Sequence, residues 1–126
     1  MEKATFKDLI ARKMQKEDDK HKFKEIEVKS IGKSLVFKKP SDDAMLDVMD
    51  EIEKDSSTRG IASAYKKLIY KSCETLQSTE LQNELGIIDP FDTVGAIFDL
   101  SDVLMIGEEL CEFSGIAQIG EEIKNS

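Results

Sequence analysis

Apolar residues recur at helical spacing through most of the chain and alternate in one short stretch near its start. Phe6, Leu9, Ile10 and Met14 predict a first helix over residues 4–22. Its last turns, Lys16 to Lys22, are wholly charged or titratable, so this end is expected to fray or project until a partner covers it. The period then changes. Ile26 and Val28 alternate with Glu25, Glu27 and Lys29, and Leu35 and Phe37 alternate with Ser34, Val36 and Lys38. This predicts a β-hairpin over 24–38, turning at Ser30-Ile31-Gly32-Lys33, with Pro40 ending its second strand. A two-stranded hairpin is marginal alone, so its apolar face must pack on helices or join another subunit's sheet.

Helical spacing then returns. Ser41 is a good N-cap, with Asp42 and Asp43 in the first turn, where the helix dipole favours negative charge. Met45, Leu46, Met49 and Ile52 form the expected apolar stripe. Ser57 or Thr58 caps the next helix, in which Ile61, Tyr65, Leu68, Ile69, Ser72, Cys73 and Leu76 keep helical spacing. This helix is expected to be the centre of the core. Thr79 and Gln82 suggest a capping box on a short helix burying Leu81 and Leu85 and ending at Gly86. Asp89-Pro90 starts another, with Phe91, Val94, Ile97 and Phe98 inward. Ser101 is the expected cap of a last major helix that stops at Gly115, and Ile116, Ile119 and Ile123 are spaced for one more helical stretch. The pattern predicts an α+β fold, predominantly helical, with about five to six helices and one N-terminal β-hairpin. It forms a single domain over 1–126: a charged N-terminal helix (1–23), the hairpin (24–39), a helical core (41–115) and a tail (116–126).

Charge adds direction to this picture. Residues 1–40 hold 12 Lys and Arg against 7 Asp and Glu, whereas residues 41–126 hold 6 against 19, for a whole-chain net of −8. A basic end of one copy facing an acidic end of another gives a head-to-tail contact that closes into a ring or continues as a spiral. The residues expected to make it are Arg12, Lys13, Lys16, Lys20 and Lys22 against Asp102, Glu108, Glu109 and Glu112. No apolar stretch reaches the roughly 18 residues needed to cross a bilayer, so no membrane partner is expected. The first ten residues hold no apolar signal region, so the chain is expected in the cytosol, with Cys73 and Cys111 as buried thiols.

Catalytic chemistry finds little to use. The one histidine, His21, lies in the charged run and reads as a solvated surface residue. Cys73 and Cys111 are isolated from it and from each other, which leaves no zinc spacing. Asp42, Asp43, Asp47 and Asp50 match a helix N-terminus and a solvated face better than a metal site. The glycines build no phosphate loop, so neither cofactor nor metal is expected. The N-terminal lysines are interleaved with Glu17, Asp18, Asp19, Glu25 and Glu27, and the net charge repels phosphate, so nucleic acid is not an expected partner. What remains is apolar surface in an acidic setting. Leu104, Met105, Ile106, Leu110 and Phe113 make the last helix apolar over more than one face and are the residues expected to contact a partner protein.

Several stretches, in this order, carry a family likeness: Lys7-Asp8-Leu9-Ile10-Ala11-Arg12-Lys13, Leu35-Val36-Phe37-Lys38-Lys39-Pro40-Ser41-Asp42-Asp43, Tyr65-Lys66-Lys67-Leu68-Ile69-Tyr70, Leu81-Gln82-Asn83-Glu84-Leu85-Gly86, Asp89-Pro90-Phe91-Asp92 and Ile106-Gly107-Glu108-Glu109-Leu110. Over roughly residues 5–115 the chain resembles the XkdN-like tail assembly chaperones of phages and phage-derived particles of low-GC Gram-positive bacteria. The resemblance implies a non-enzymatic chaperone that binds the tape measure protein and keeps its helices soluble while the tail tube polymerises. It also implies action in the bacterial host cytoplasm and absence from the finished particle, whether phage, prophage product or tailocin. Three other readings are set against it: a structural tail or baseplate subunit, an acidic adaptor or regulator that binds a host protein, and a small enzyme with Cys73 or Cys111 as nucleophile.

Overall fold

The structure is a computed structural model that describes residues 1–116. Its elements run α1 (Phe6–Asp19), β1 (Phe23–Val28), β2 (Lys33–Lys38), α2 (Asp42–Lys54), α3 (Thr58–Ser72), α4 (Thr79–Glu84), α5 (Thr93–Ile97) and α6 (Leu100–Phe113), with 3-10 turns at Thr75–Gln77 and Pro90–Asp92. The α+β, mainly helical architecture with one hairpin near the N-terminus is the expected one.

Every α-helix but α5 starts where a side chain satisfies one of its first N–H groups. Thr5 and Asp8 form a capping box on α1, with the Thr5 N–H donating to the Asp8 carboxylate at 2.8 Å. Ser41 Oγ accepts from the Ala44 N–H, and Ser57 Oγ from the Gly60 N–H. Two caps differ from expectation. Ser78, not Thr79, caps α4, its hydroxyl accepting from the Leu81 N–H. Asp99, not Ser101, caps α6, in a reciprocal box with Asp102. A carboxylate three residues before a second carboxylate satisfies both backbone donors, which leaves Ser101 to bond the Asp99 side chain. The helix expected from Asp89-Pro90 is a 3-10 turn leading into the five-residue α5.

The strands pair antiparallel, Ile26 opposite Leu35 and Lys24 opposite Phe37. Gly32 takes φ +73° in the turn, a region open to glycine at little cost. Ile26, Val28 and Phe37 face inward and are fully covered, so the hairpin closes one side of the core. α3 is the spine. It packs on α2 and α6, and α6 packs on β1. Ile61, Tyr65, Leu68, Ile69 and Ser72 are buried on α3, as the spacing predicts, whereas Cys73 and Leu76, expected to continue the helix, are buried beyond its end, Cys73 in extended backbone and Leu76 in the 3-10 turn. Two close approaches depend on glycine. A Cβ on Gly60 would overlap the Asp55 carbonyl in the α2–α3 connection, and one on Gly107 would overlap the Tyr65 ring where α6 meets α3.

Outside this core, α1 buries no residue. Its helix is formed, but its apolar stripe is uncovered. Ile116 packs against the core. Ile119 and Ile123, expected to continue a helix, lie outside the described residues.

Candidate functional site

The expected partner surface on α6 does not stand as a whole. Ile106 and Leu110 are fully buried, and Leu104 and Met105 pack half-buried against the core. Phe113 is half-exposed. The physical reason is that α6 is covered from two directions, by α3 and by β1, so apolar residues around more than one face of it are core residues.

The acids of α6 separate in the same way. Asp102 is buried and holds two structural contacts: it accepts from the Asp99 backbone N–H at 3.3 Å and from Ser30 Oγ at 2.8 Å. It is therefore removed from the self-contact set. Glu108 and Glu112 are exposed, and Glu109 lies 4.0 Å from Lys24. On the basic side, Arg12, Lys13, Lys16, Lys20 and Lys22 are all exposed. Lys13 lies 3.7 Å from Glu17, Lys22 lies 2.9 Å from Asp19, and Lys16 reaches Asp42 at the start of α2, 3.7 Å away.

The exposed apolar surface lies elsewhere: on the hairpin, where Phe23, Ile31 and Val36 are exposed, and in two further places. The first is the stretch between α4 and α6, where Leu85, Ile88, Phe91 and Leu100 are exposed, Ile88 at 100%. Leu85 and Phe91 were expected inside. Gly86 (φ +69°) ends α4 immediately after Leu85, and the 3-10 turn holds Phe91 on the outside, its ring tilted against Tyr70 at a centroid distance of 5.1 Å. All charges in residues 85–100 are negative: Asp89, Asp92 and Asp99. The second place combines α1 and α2. Phe6, Leu9, Ile10 and Met14 are exposed on α1, Phe6 at 79%. On α2, Met45, Val48 and Ile52 face the core, while Leu46 and Met49, expected in the buried stripe, face out. The one signal for this in the sequence is that α2 holds more apolar positions than a single face accommodates.

The candidate nucleophiles sit in poor settings for chemistry. Both cysteines are buried and unbridged. Burial raises the Cys73 thiol above its ordinary value, and burial pushes Cys111 up to about 11. Burial likewise raises the Tyr65 hydroxyl well above its ordinary value. His21 is exposed in the turn after α1. Among the described residues, no group of three or more His, Cys, Asp or Glu is placed to hold a metal ion, and no helix is long and apolar enough to cross a membrane. A shallow cleft of about 460 Å³ lies beside α3, lined by Arg59, Lys66 and Leu100 among others. Comparison of the chain with family models, with curated proteins and with solved structures returns no match.

Proposed function

We propose that this chain is a non-enzymatic tail assembly chaperone that binds the tape measure protein of a phage or phage-derived particle and keeps it soluble while the tail tube polymerises. The resemblance in residue order supplies the identity of the client. The single observation that carries a client-binding role is the stretch between α4 and α6, where Leu85, Ile88, Phe91 and Leu100 are exposed; the stretch's own charges are all negative, with Arg59 and Lys66 beside Leu100. Contiguous exposed apolar patches mark interaction sites, and in this reading the four side chains belong to one such patch. The acids keep such a surface soluble and suit a client helix with apolar and basic residues. In this reading the client surface moves off α6, whose Ile106 and Leu110 are interior, and onto the connection that precedes it. The chaperone works in the host cytoplasm and is absent from the finished particle.

Co-expression with the tape measure protein of the same particle, followed by affinity capture and size exclusion, tests this. A soluble co-eluting complex, with the tape measure protein insoluble when expressed alone, is the expected result. A tape measure protein that is soluble alone and not captured overturns the reading. Mass spectrometry of finished particles separates the chaperone from a structural subunit, which would be found in them.

A further inference from the structure

α1 presents a helix-length apolar stripe and buries none of it. A helix of 14 residues is near the lower limit of stability in water without tertiary packing, so a covered state of α1 is favoured. Charge narrows what the cover is. Over its whole length α1 balances Lys7, Arg12, Lys13 and Lys16 against Asp8, Glu17, Asp18 and Asp19, but around the stripe Asp8 is engaged in the capping box, Lys13 and Lys16 reach Glu17 and Asp42, and Lys7 and Arg12 form no ion pair among the described residues. The complementary face is therefore apolar and acidic.

Such a face exists on this chain. The outer side of α2 exposes Leu46 and Met49, one helical turn apart, in a helix that carries six acids against Lys54 alone. Of these acids, Asp43, Asp50 and Glu53 are exposed and form no ion pair among the described residues. The two helices also match in length, α1 with 14 residues and α2 with 13, or about 20 Å each at 1.5 Å per residue. We propose that α1 of one copy docks through Phe6, Leu9, Ile10 and Met14 onto the outer face of α2 in a second copy, with Leu46 and Met49 at its centre. Apolar contact supplies the burial, and the opposed charges fix which helix pairs with which. Each copy thus carries one arm and one acceptor. The contact leaves Leu85, Ile88, Phe91 and Leu100 uninvolved, so assembly and client capture use different residues.

Two double variants test this. Leu9→Asp/Met14→Asp disables the arm, and Leu46→Asp/Met49→Asp disables the acceptor. All four positions are exposed, and circular dichroism checks that the core remains folded. Light scattering after size exclusion is expected to give an oligomer for the wild type and the mass of a single chain for each variant. Mixed together, the two variants retain one good arm and one good acceptor between them, so a 1:1 complex is expected to form. A monomeric wild type, an acceptor variant that assembles like the wild type, or a mixture that stays monomeric overturns the proposal. Loss of client capture in the arm variant, with a monomeric wild type, would assign α1 to the client instead.

Discussion

Ser30 Oγ donates a 2.8 Å hydrogen bond to the buried carboxylate of Asp102, tying the hairpin turn to the first turn of α6 across 72 positions of sequence. The same carboxylate accepts from the Asp99 N–H, so one side chain both caps a helix and fastens the sheet to it. Removing Ser30 alone leaves the cap intact. Ser30→Ala is expected to cost about 1 kcal/mol, and Asp102→Ala roughly 1–3 kcal/mol because it removes both contacts. In urea denaturation, Ser30→Ala is expected to add little in the Asp102→Ala background, since the partner is already gone. Fully additive losses would show that the two residues do not act together.

Gly107 is the position where α6 meets the Tyr65 ring. A methyl group there overlaps the ring, so Gly107→Ala is expected to destabilise the fold by about 1–3 kcal/mol despite the better helix propensity of alanine. Gly95 is the control. A Cβ there meets only the flexible end of Lys66, at 3.5 Å, so Gly95→Ala is expected to be neutral or to stabilise by up to about 1 kcal/mol. Thermal unfolding of the two variants side by side decides the matter. Equal melting temperatures would remove the close approach as the explanation.

Acid weakens the start of α6. The Asp102 backbone N–H donates to the Asp99 carboxylate at 3.0 Å, and the Ser101 hydroxyl adds a second bond at 2.9 Å, holding its carboxyl below the ordinary value of 3.8. A carboxylate whose folded value is depressed stabilises the fold fully above its unfolded value and loses that contribution as pH falls through the folded value. The stability gap between wild type and Asp99→Ala is therefore expected to be constant at neutral pH and to close as pH drops below 3.8. A gap unchanged through the acid titration would rule out this role for Asp99.

The thiols are expected to be inert in the folded chain. A Cys111 value near 11, against an ordinary 9.0, lowers the thiolate fraction about a hundredfold, and burial adds a steric barrier. Alkylation should be slow until denaturant is added, and then both cysteines should react together. Rapid modification of either residue in the folded state would point to a reactive thiol.

Ile88 separates folding from binding. Its side chain is wholly exposed, so Ile88→Asp is expected to change stability by less than about 0.5 kcal/mol. If the connection between α4 and α6 holds the client, Ile88→Asp combined with Phe91→Asp should weaken capture of the tape measure protein by about tenfold or more. Capture at the wild-type level by a folded double variant would move the client surface elsewhere.

Sequence alone determined the elements whose apolar pattern has one reading. Ile26, Val28, Leu35 and Phe37 fall on one face of a hairpin because the side-chain period of a strand leaves no alternative. The α3 stripe from Ile61 to Ser72 has a single apolar face, so it was legible as core. α2 and α6 carry apolar residues around more than one face, and periodicity cannot say which face a neighbour covers. Only the tertiary structure decided that α6 is enclosed by α3 and β1, which takes Ile106 and Leu110 inside, and that α2 turns Met45, Val48 and Ile52 to the core, which leaves Leu46 and Met49 out. Asp102 follows the same rule. By composition it is one more surface acid, but in the fold it is buried and accepts from Ser30, a residue 72 positions away that only folding brings within hydrogen-bond reach.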